Sequence, residues 1–193
     1  FTPDSGGNNN EGANEADNDG NVENGLGLGM NYIGSAGDIS FKVGATTGQA
    51  STEPDTSAGG AALERGDIDT WSVGGYLSFS GFSVGMGHGD NGDSNCTTAN
   101  TLCDAGEWWD VSGSYKFGDN TIAGGYLNNE SNVAGSAVQD DQVDVWTLGF
   151  THNFASAPGL RAWAEITQYE VDRAGTVSDN DATYVMIGTQ VAF

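Results

Sequence analysis

One spacing recurs three times along this chain. The segments "WSVGGYLSF" at 71–79, "WDVSGSYKF" at 109–117 and "WTLGFTHNF" at 146–154 each place an aliphatic residue two positions after a Trp and a Phe eight positions after it. The intervals between the three Trp residues are 38 and 37 residues. In an extended strand, side chains an even number of steps apart share a face, so each segment sets its Trp, aliphatic residue and Phe on one side of a ribbon.

Period-two alternation extends to nine segments, 22–34, 39–50, 68–79, 82–90, 106–117, 120–130, 142–154, 160–172 and 182–193. In 142–154, Trp146, Leu148, Phe150 and Phe154 oppose Val145, Thr147, Gly149, Thr151 and Asn153. In 106–117, Trp109, Val111, Tyr115 and Phe117 oppose Trp108, Asp110, Ser112, Ser114 and Lys116. In 22–34, Leu26, Leu28, Met30 and Tyr32 oppose Gly25, Gly27, Gly29 and Asn31. The faces of 82–90 and 120–130 stay open at this stage. Connections alternate in length: "SAGD", "SG", "GD" and "ASAPG" have tight-turn composition, whereas 1–21, 51–67, 91–105, 131–141 and 173–181 are long and rich in Asn, Asp, Ser, Thr and Gly. Short turns therefore gather at one end of the sheet and long loops at the other.

Composition removes several classes. Thirty-one glycines and three prolines oppose a helical protein. The longest uncharged stretch, 70–89, has the length of a membrane helix, but it holds six Gly and four Ser and alternates with period two. Five Lys and Arg against 27 Asp and Glu give a net charge of −22, which repels nucleic acid and anionic membrane surfaces. No stretch has the basic start, apolar centre and small-residue cleavage site of a targeting peptide.

A soluble β-sandwich would alternate as well, so the spacing must separate the two cases. Eight steps of about 3.3 Å cover roughly 26 Å, and a tilt of about 40° reduces this to about 20 Å of height, close to the apolar band of a membrane barrel. Trp71, Trp109 and Trp146 follow long loops, and Phe79, Phe117 and Phe154 precede short turns. Aromatic rings favour both membrane interfaces, so these residues read as two girdles. The last segment keeps the frame with Val185 in the Trp place and Phe193 at the short-turn end.

The segments "VGGYLSFSGFSVG", "SGSYKFGDNTIAGGY", "VDVWTLGFTHNF" and the terminal "GTQVAF" resemble the general porins of Gram-negative outer membranes, most closely the alphaproteobacterial type. The resemblance covers nearly all 193 residues as the carboxy-terminal part of such a protein. It implies an all-β fold, a transmembrane antiparallel up-and-down β-barrel, with these nine strands read as strands eight to sixteen of a sixteen-stranded barrel. Residues 1–193 are then one β-barrel domain, with the amino-terminal strands and constriction loop missing. It further implies a homotrimer in outer-membrane lipid and passive diffusion of small hydrophilic solutes and ions.

Charges sort along this frame. Eighteen of the 27 acids lie in or beside the long loops, giving a negatively charged mouth that attracts cations, or simply keeping exposed loops soluble. Lys42, Lys116 and Arg161 lie on the face opposite the aliphatic stripe, near short turns. A cation facing lipid at mid-depth costs about 2–4 kcal/mol, so they are expected to line the pore. Asp110 and Glu165 share that wet face and set an electrostatic step there, or pair with the basic groups in a polar wall.

Other signals are weaker. Cys96 and Cys103 in "NCTTANTLC" favour a disulfide, the alternative being two unpaired loop thiols; two further ligands for zinc are not in reach. "EADNDG" at 15–20 begins like a calcium loop, but Leu26 occupies the twelfth place where a bidentate Glu is required. No cofactor or dedicated metal site is expected, only loose calcium binding by acidic loops that include Asp140, Asp141 and Asp144. "GFSVG" at 81–85 fits G-x-S-x-G, yet it joins a turn to a strand and not to a helix. His88 lies near a long loop and His152 shares the face of Phe150, an interface position and not that of a general base, so no catalytic residues are assigned. The competing reading is a secreted acidic soluble β-domain for ion binding or adhesion.

Overall fold

In a computed structural model the described residues are 2–4, 22–52, 66–94, 96, 103–132, 141–173 and 180–192, with 2–4, 22 and 23 described by backbone alone. They form one antiparallel sheet whose spatial order is the chain order, β1 (Thr2–Asp4), β2 (Val22–Ala36), β3 (Ile39–Thr52), β4 (Ile68–Phe79), β5 (Phe82–Asp90), β6 (Glu107–Phe117), β7 (Asn120–Ser131), β8 (Asp141–Asn153), β9 (Leu160–Asp172) and β10 (Ala182–Val191). The nine long strands coincide with the nine alternating segments to within two residues. The exception in kind is β1, a three-residue strand inside the stretch read as a long amino-terminal connection, pairing Thr2 with Gly25 and Asp4 with Glu23. Among the described residues β1 and β10 each have one strand neighbour.

Register fixes the faces. Val73 stands opposite His88, Leu77 opposite Val84 and Phe79 opposite Phe82. Phe82, Val84, Met86 and His88 therefore share the side of Trp71 and Phe79, which settles the face of β5. Val111 opposite Tyr126 and Tyr115 opposite Ile122 settle β7 in the same way. Among the described residues, 25 of 31 exposed large hydrophobic side chains lie on this one face; the exceptions are Ile33, Tyr76, Leu127, Tyr169, Tyr184 and Met186.

Among the described residues no second layer covers that face. Leu148 is 54% exposed, Phe150 43% and Val111 38%, and among the described residues no large side chain is fully buried. The only buried hydrophobic residues there are Cys96 and Cys103. Leaving a large apolar side chain in water forfeits about 1.5–3 kcal/mol, so 25 of them would outweigh a net folding stability of about 5–15 kcal/mol. Water alone cannot cover this face; hydrocarbon or another protein surface must.

Turn chemistry sets the short-turn end. Ser80 (φ 50°) and Gly81 (φ 86°) both adopt the left-handed conformation demanded by a two-residue hairpin of matching twist. Gly81 is also crowded: a Cβ there would lie 2.7 Å from the Lys116 carbonyl oxygen, which accepts no relief by side-chain motion because it is backbone. Gly81→Ala is expected to lower stability by about 1–2 kcal/mol or more, read as a reduced thermal unfolding midpoint in detergent.

Candidate functional site

The side of the sheet opposite the aromatic stripe is the candidate channel wall. Its rows follow from register. Lys42, Tyr76, Gly85, Ser112, Gly125, Thr147, Thr167 and Tyr184 are successive cross-strand partners from β3 to β10. One step towards the long loops, Gly44, Gly74, Gly87 and Asp110 form a second row. Hydroxyls satisfy one another across strands: Thr46 with Ser72 (2.7 Å), Ser78 with Ser83 (2.7 Å) and Thr147 with Thr167 (3.2 Å). Thr167 Oγ1 also donates to Glu165 (3.3 Å). Small and polar side chains thus predominate on this face, interrupted by Tyr76 and Tyr184.

The five charged residues assigned to the wall all lie on it. Lys42 faces Ile33 and Tyr76, Asp110 faces Gly87 and Leu127, Lys116 faces Thr121, Arg161 faces Asn153 and Gln190, and Glu165 faces Gly149 and Met186. They are spread over three strands, Lys42 on β3, Asp110 and Lys116 on β6, and Arg161 and Glu165 on β9. Among the described residues no ion pair joins any of them, so their charges face solvent.

Sequence reasoning gave no role to two indoles on this face. The Trp108 ring lies over β5, where a Cβ on Gly89 would stand 2.6 Å from it. A Cβ on Gly188 would stand 2.7 Å from the Trp163 ring. Each Trp therefore depends on a glycine of the next strand, a cross-strand dependence visible only once register is known.

On the apolar face the rings group by height. Tyr126 lies between Trp109 and Trp146, with centroid distances of 4.9 and 4.3 Å, and the Trp71 ring meets His88 edge-on at 5.1 Å. At the other end Phe82 stacks on Tyr115 (4.1 Å), Tyr115 stacks on Phe117 (5.7 Å) and His152 meets Phe154 edge-on (4.7 Å). Phe79 stands opposite Phe82 in register. Tyr126, Phe82 and Tyr115 thus join rings that the Trp and Phe spacing had singled out. Phe193, the 15–20 segment and Asp140 lie outside the described residues. His88 Nδ1 donates to the Trp108 carbonyl (2.9 Å) and His152 Nδ1 to Asn120 Oδ1 (2.8 Å), both structural contacts.

Just beyond the upper rings the same face turns acidic. Asp90, Glu107 and Glu130 are successive cross-strand partners. One row nearer the rings, Asp144 accepts from Tyr126 Oη, from Asn128 (3.0 Å) and from Gln142 (2.7 Å). Among the described residues no group of three or more His, Cys, Asp or Glu is placed to hold a metal ion.

Cys96 and Cys103 form a disulfide, with Cα atoms 5.7 Å apart. Residues flanking it join the long-loop connections. Gly66 N donates to Cys96 O (2.6 Å), tying in the β3–β4 connection, and Asp104 and Asn132 exchange backbone bonds of 3.2 and 2.9 Å, tying in the β7–β8 connection. Ser94 bonds the Asp69 backbone in both directions, at 3.0 and 3.3 Å. Three long loops are joined by main-chain bonds that no local sequence signal reveals.

Residues 1–188 match the family described as Gram-negative porin, and the chain belongs to that family. It is an all-β protein of the outer membrane. Among solved structures it is similar to the loop L8 deletion mutant of OmpT, an outer membrane protein of Vibrio cholerae (TM-score 0.54, 19% identity, covering 92% of this chain and 56% of that one). It is also similar to an anion-selective porin from Comamonas acidovorans (0.58, 15%, 86% and 49%) and to OccAB3 of Acinetobacter baumannii (0.59, 14%, 86% and 48%). The chain spans about half the length of these structures. No curated protein sequence matches it.

Two substitutions separate the faces. Leu148→Arg, on the apolar side, is expected to cost about 2–4 kcal/mol, whereas Thr147→Arg, on the polar side, is expected to be tolerated; thermal midpoints in detergent or lipid check both. Replacing both cysteines by Ser is expected to cost about 2–3 kcal/mol by releasing the short loop, read in the same assay.

Proposed function

We propose that the chain forms wall strands of an outer-membrane porin through which small hydrophilic solutes and ions diffuse passively in water. The observation that carries this reading is the division of one sheet into an uncovered apolar face with aromatic rings near both ends and a face of Gly, Ser, Thr and dispersed charge. A water-filled lumen is where such a polar face is stable at membrane depth. The soluble acidic domain loses its support here, because 25 large apolar side chains on one face would stand in water. Membership of the Gram-negative porin family supports the reading of a channel.

Several finer features belong to the same proposal. The alphaproteobacterial type is supported by the quoted segments alone. Closure into a barrel is supported by the two sheet edges among the described residues, since open edges are not sustained in lipid, and a count of sixteen strands rests on the resemblance of the quoted segments. A homotrimer is consistent with the trimer form in which OmpT of Vibrio cholerae is known. Loose divalent-ion binding rests on the acidic loops. Anion selectivity is a property of the Comamonas protein and does not transfer at 15% identity; the net charge of −22 here favours cations at the mouth.

Planar-bilayer recording of the intact protein tests the proposal. Stepwise conductance is expected, with a reversal potential in a KCl gradient that favours K⁺ in dilute salt and declines towards neutrality near 1 M, as the screening length falls from about 30 to about 3 Å. Absence of conductance steps overturns the channel.

A further inference from the structure

The channel wall contains a hollow with features of its own. Lys42, Tyr76, Trp108 and Asp110 line one depression of about 460 Å³, within the range of small-ligand sites. Its floor is Gly44, Gly74 and Gly87, three successive cross-strand partners whose row ends at Asp110. Lys42 stands two residues nearer the short turns, on β3, and the Trp108 indole covers the side nearer the long loops, where a Cβ on Gly87 would stand 3.1 Å from it. A cation, a carboxylate and an aromatic plane thus converge on one open depression. Among the described residues neither Lys42 nor Asp110 has a side-chain hydrogen bond or ion pair, so both charges are available.

Resting on the channel reading, we infer that this hollow is a binding station for short zwitterionic peptides with an aromatic side chain, held on their way through the lumen. The span bounds the length of the ligand. Three strand spacings of about 4.8 Å and the two-residue offset of Lys42 put the backbones of Lys42 and Asp110 roughly 16 Å apart, and side chains in strands stand roughly upright from the sheet. Charge-assisted contacts of about 2.8 Å at each end leave roughly 10 Å, which two or three residues of extended peptide fill at about 3.3–3.6 Å each. The peptide carboxylate meets Lys42, the ammonium meets Asp110, and the aromatic ring stacks on Trp108. A neutral solute can hydrogen-bond both charged groups and lie on Trp108, but it gains no ion pair at either end.

Current blockade in planar bilayers, with the intact protein and Gly-Phe-Gly as probe, tests the station. Concentration-dependent interruptions of the open current are expected, and Lys42→Gln or Asp110→Asn should each raise the half-blocking concentration about tenfold. Lys42→Arg, which keeps the charge, should retain block. Acetylating the amino end and amidating the carboxyl end of the probe should abolish it, and Trp108→Ala should erase the preference for Gly-Phe-Gly over Gly-Gly-Gly. If the channel conducts but the peptide does not interrupt the current, the station is overturned. The same holds if these substitutions leave block unchanged or if a neutral trisaccharide blocks equally. A protein that shows no conductance steps fails the channel reading itself, a distinct result.

Discussion

Everything in this molecule depends on a face that water cannot cover. A sheet with 25 large apolar side chains on one side and no second layer has two physical remedies, another protein surface or hydrocarbon. The position of the aromatic rings selects hydrocarbon. Trp109, Tyr126 and Trp146 cluster at one height, and Phe82, Tyr115 and Phe117 at another, separated by Val, Leu, Ile and Gly. A protein interior has no reason to sort rings by height, whereas a bilayer has two interfaces that do. Once lipid covers this face, backbone groups at membrane depth must be paired within the protein, and an antiparallel sheet in chain order does so at every internal strand.

Period two then carries that constraint to the other face. Each residue turned away from lipid is committed to the lumen side, and a slip of one residue in any pairing would exchange the two sets. Tight hairpins pin the register, as at Ser80 and Gly81, where both residues hold positive φ. Because register is pinned, rows of side chains line up across several strands. The glycine row from Gly44 to Gly87 and the hydroxyl pairs Ser78–Ser83 and Thr147–Thr167 are consequences of pairing order as much as of composition.

Much of this was legible in the sequence because the spacing of Trp and Phe encodes strand length and tilt directly. The strands 142–154 and 106–117 declared their faces through unbroken alternation. The faces of β5 and β7 did not, because glycines occupy alternate places in "FSVGMGHG" and small residues dilute "TIAGGYLN", leaving parity without contrast; pairing with Trp109, Val111 and Trp146 resolved them. Trp108 was assignable to the polar face by parity alone, but what holds an indole there was not, since the glycines beneath it belong to another strand. β1 was hidden for the opposite reason: three residues are too few for a period to register. The bonds from Gly66 to Cys96 and between Asp104 and Asn132 join loops distant in sequence, where no local pattern exists to be read.

The placement of charge follows from the same geometry and divides the path into separate steps. Acids crowd the long-loop end, where Asp90, Glu107 and Glu130 face one another across strands. Lys116 and Arg161 lie near short turns at the far end of the wall. The two ends are roughly 20 Å apart along the axis, more than two screening lengths of about 8 Å at physiological salt. The mouth therefore cannot cancel the field of the basic groups below it, and the two act in series. On the channel reading proposed above, a permeating cation would be favoured at entry and opposed later, and an anion would meet the reverse order. Between them, the solute that passes both at least cost carries charges of both signs, and the wall between the two zones is where Lys42 and Asp110 lie on either side of a glycine floor.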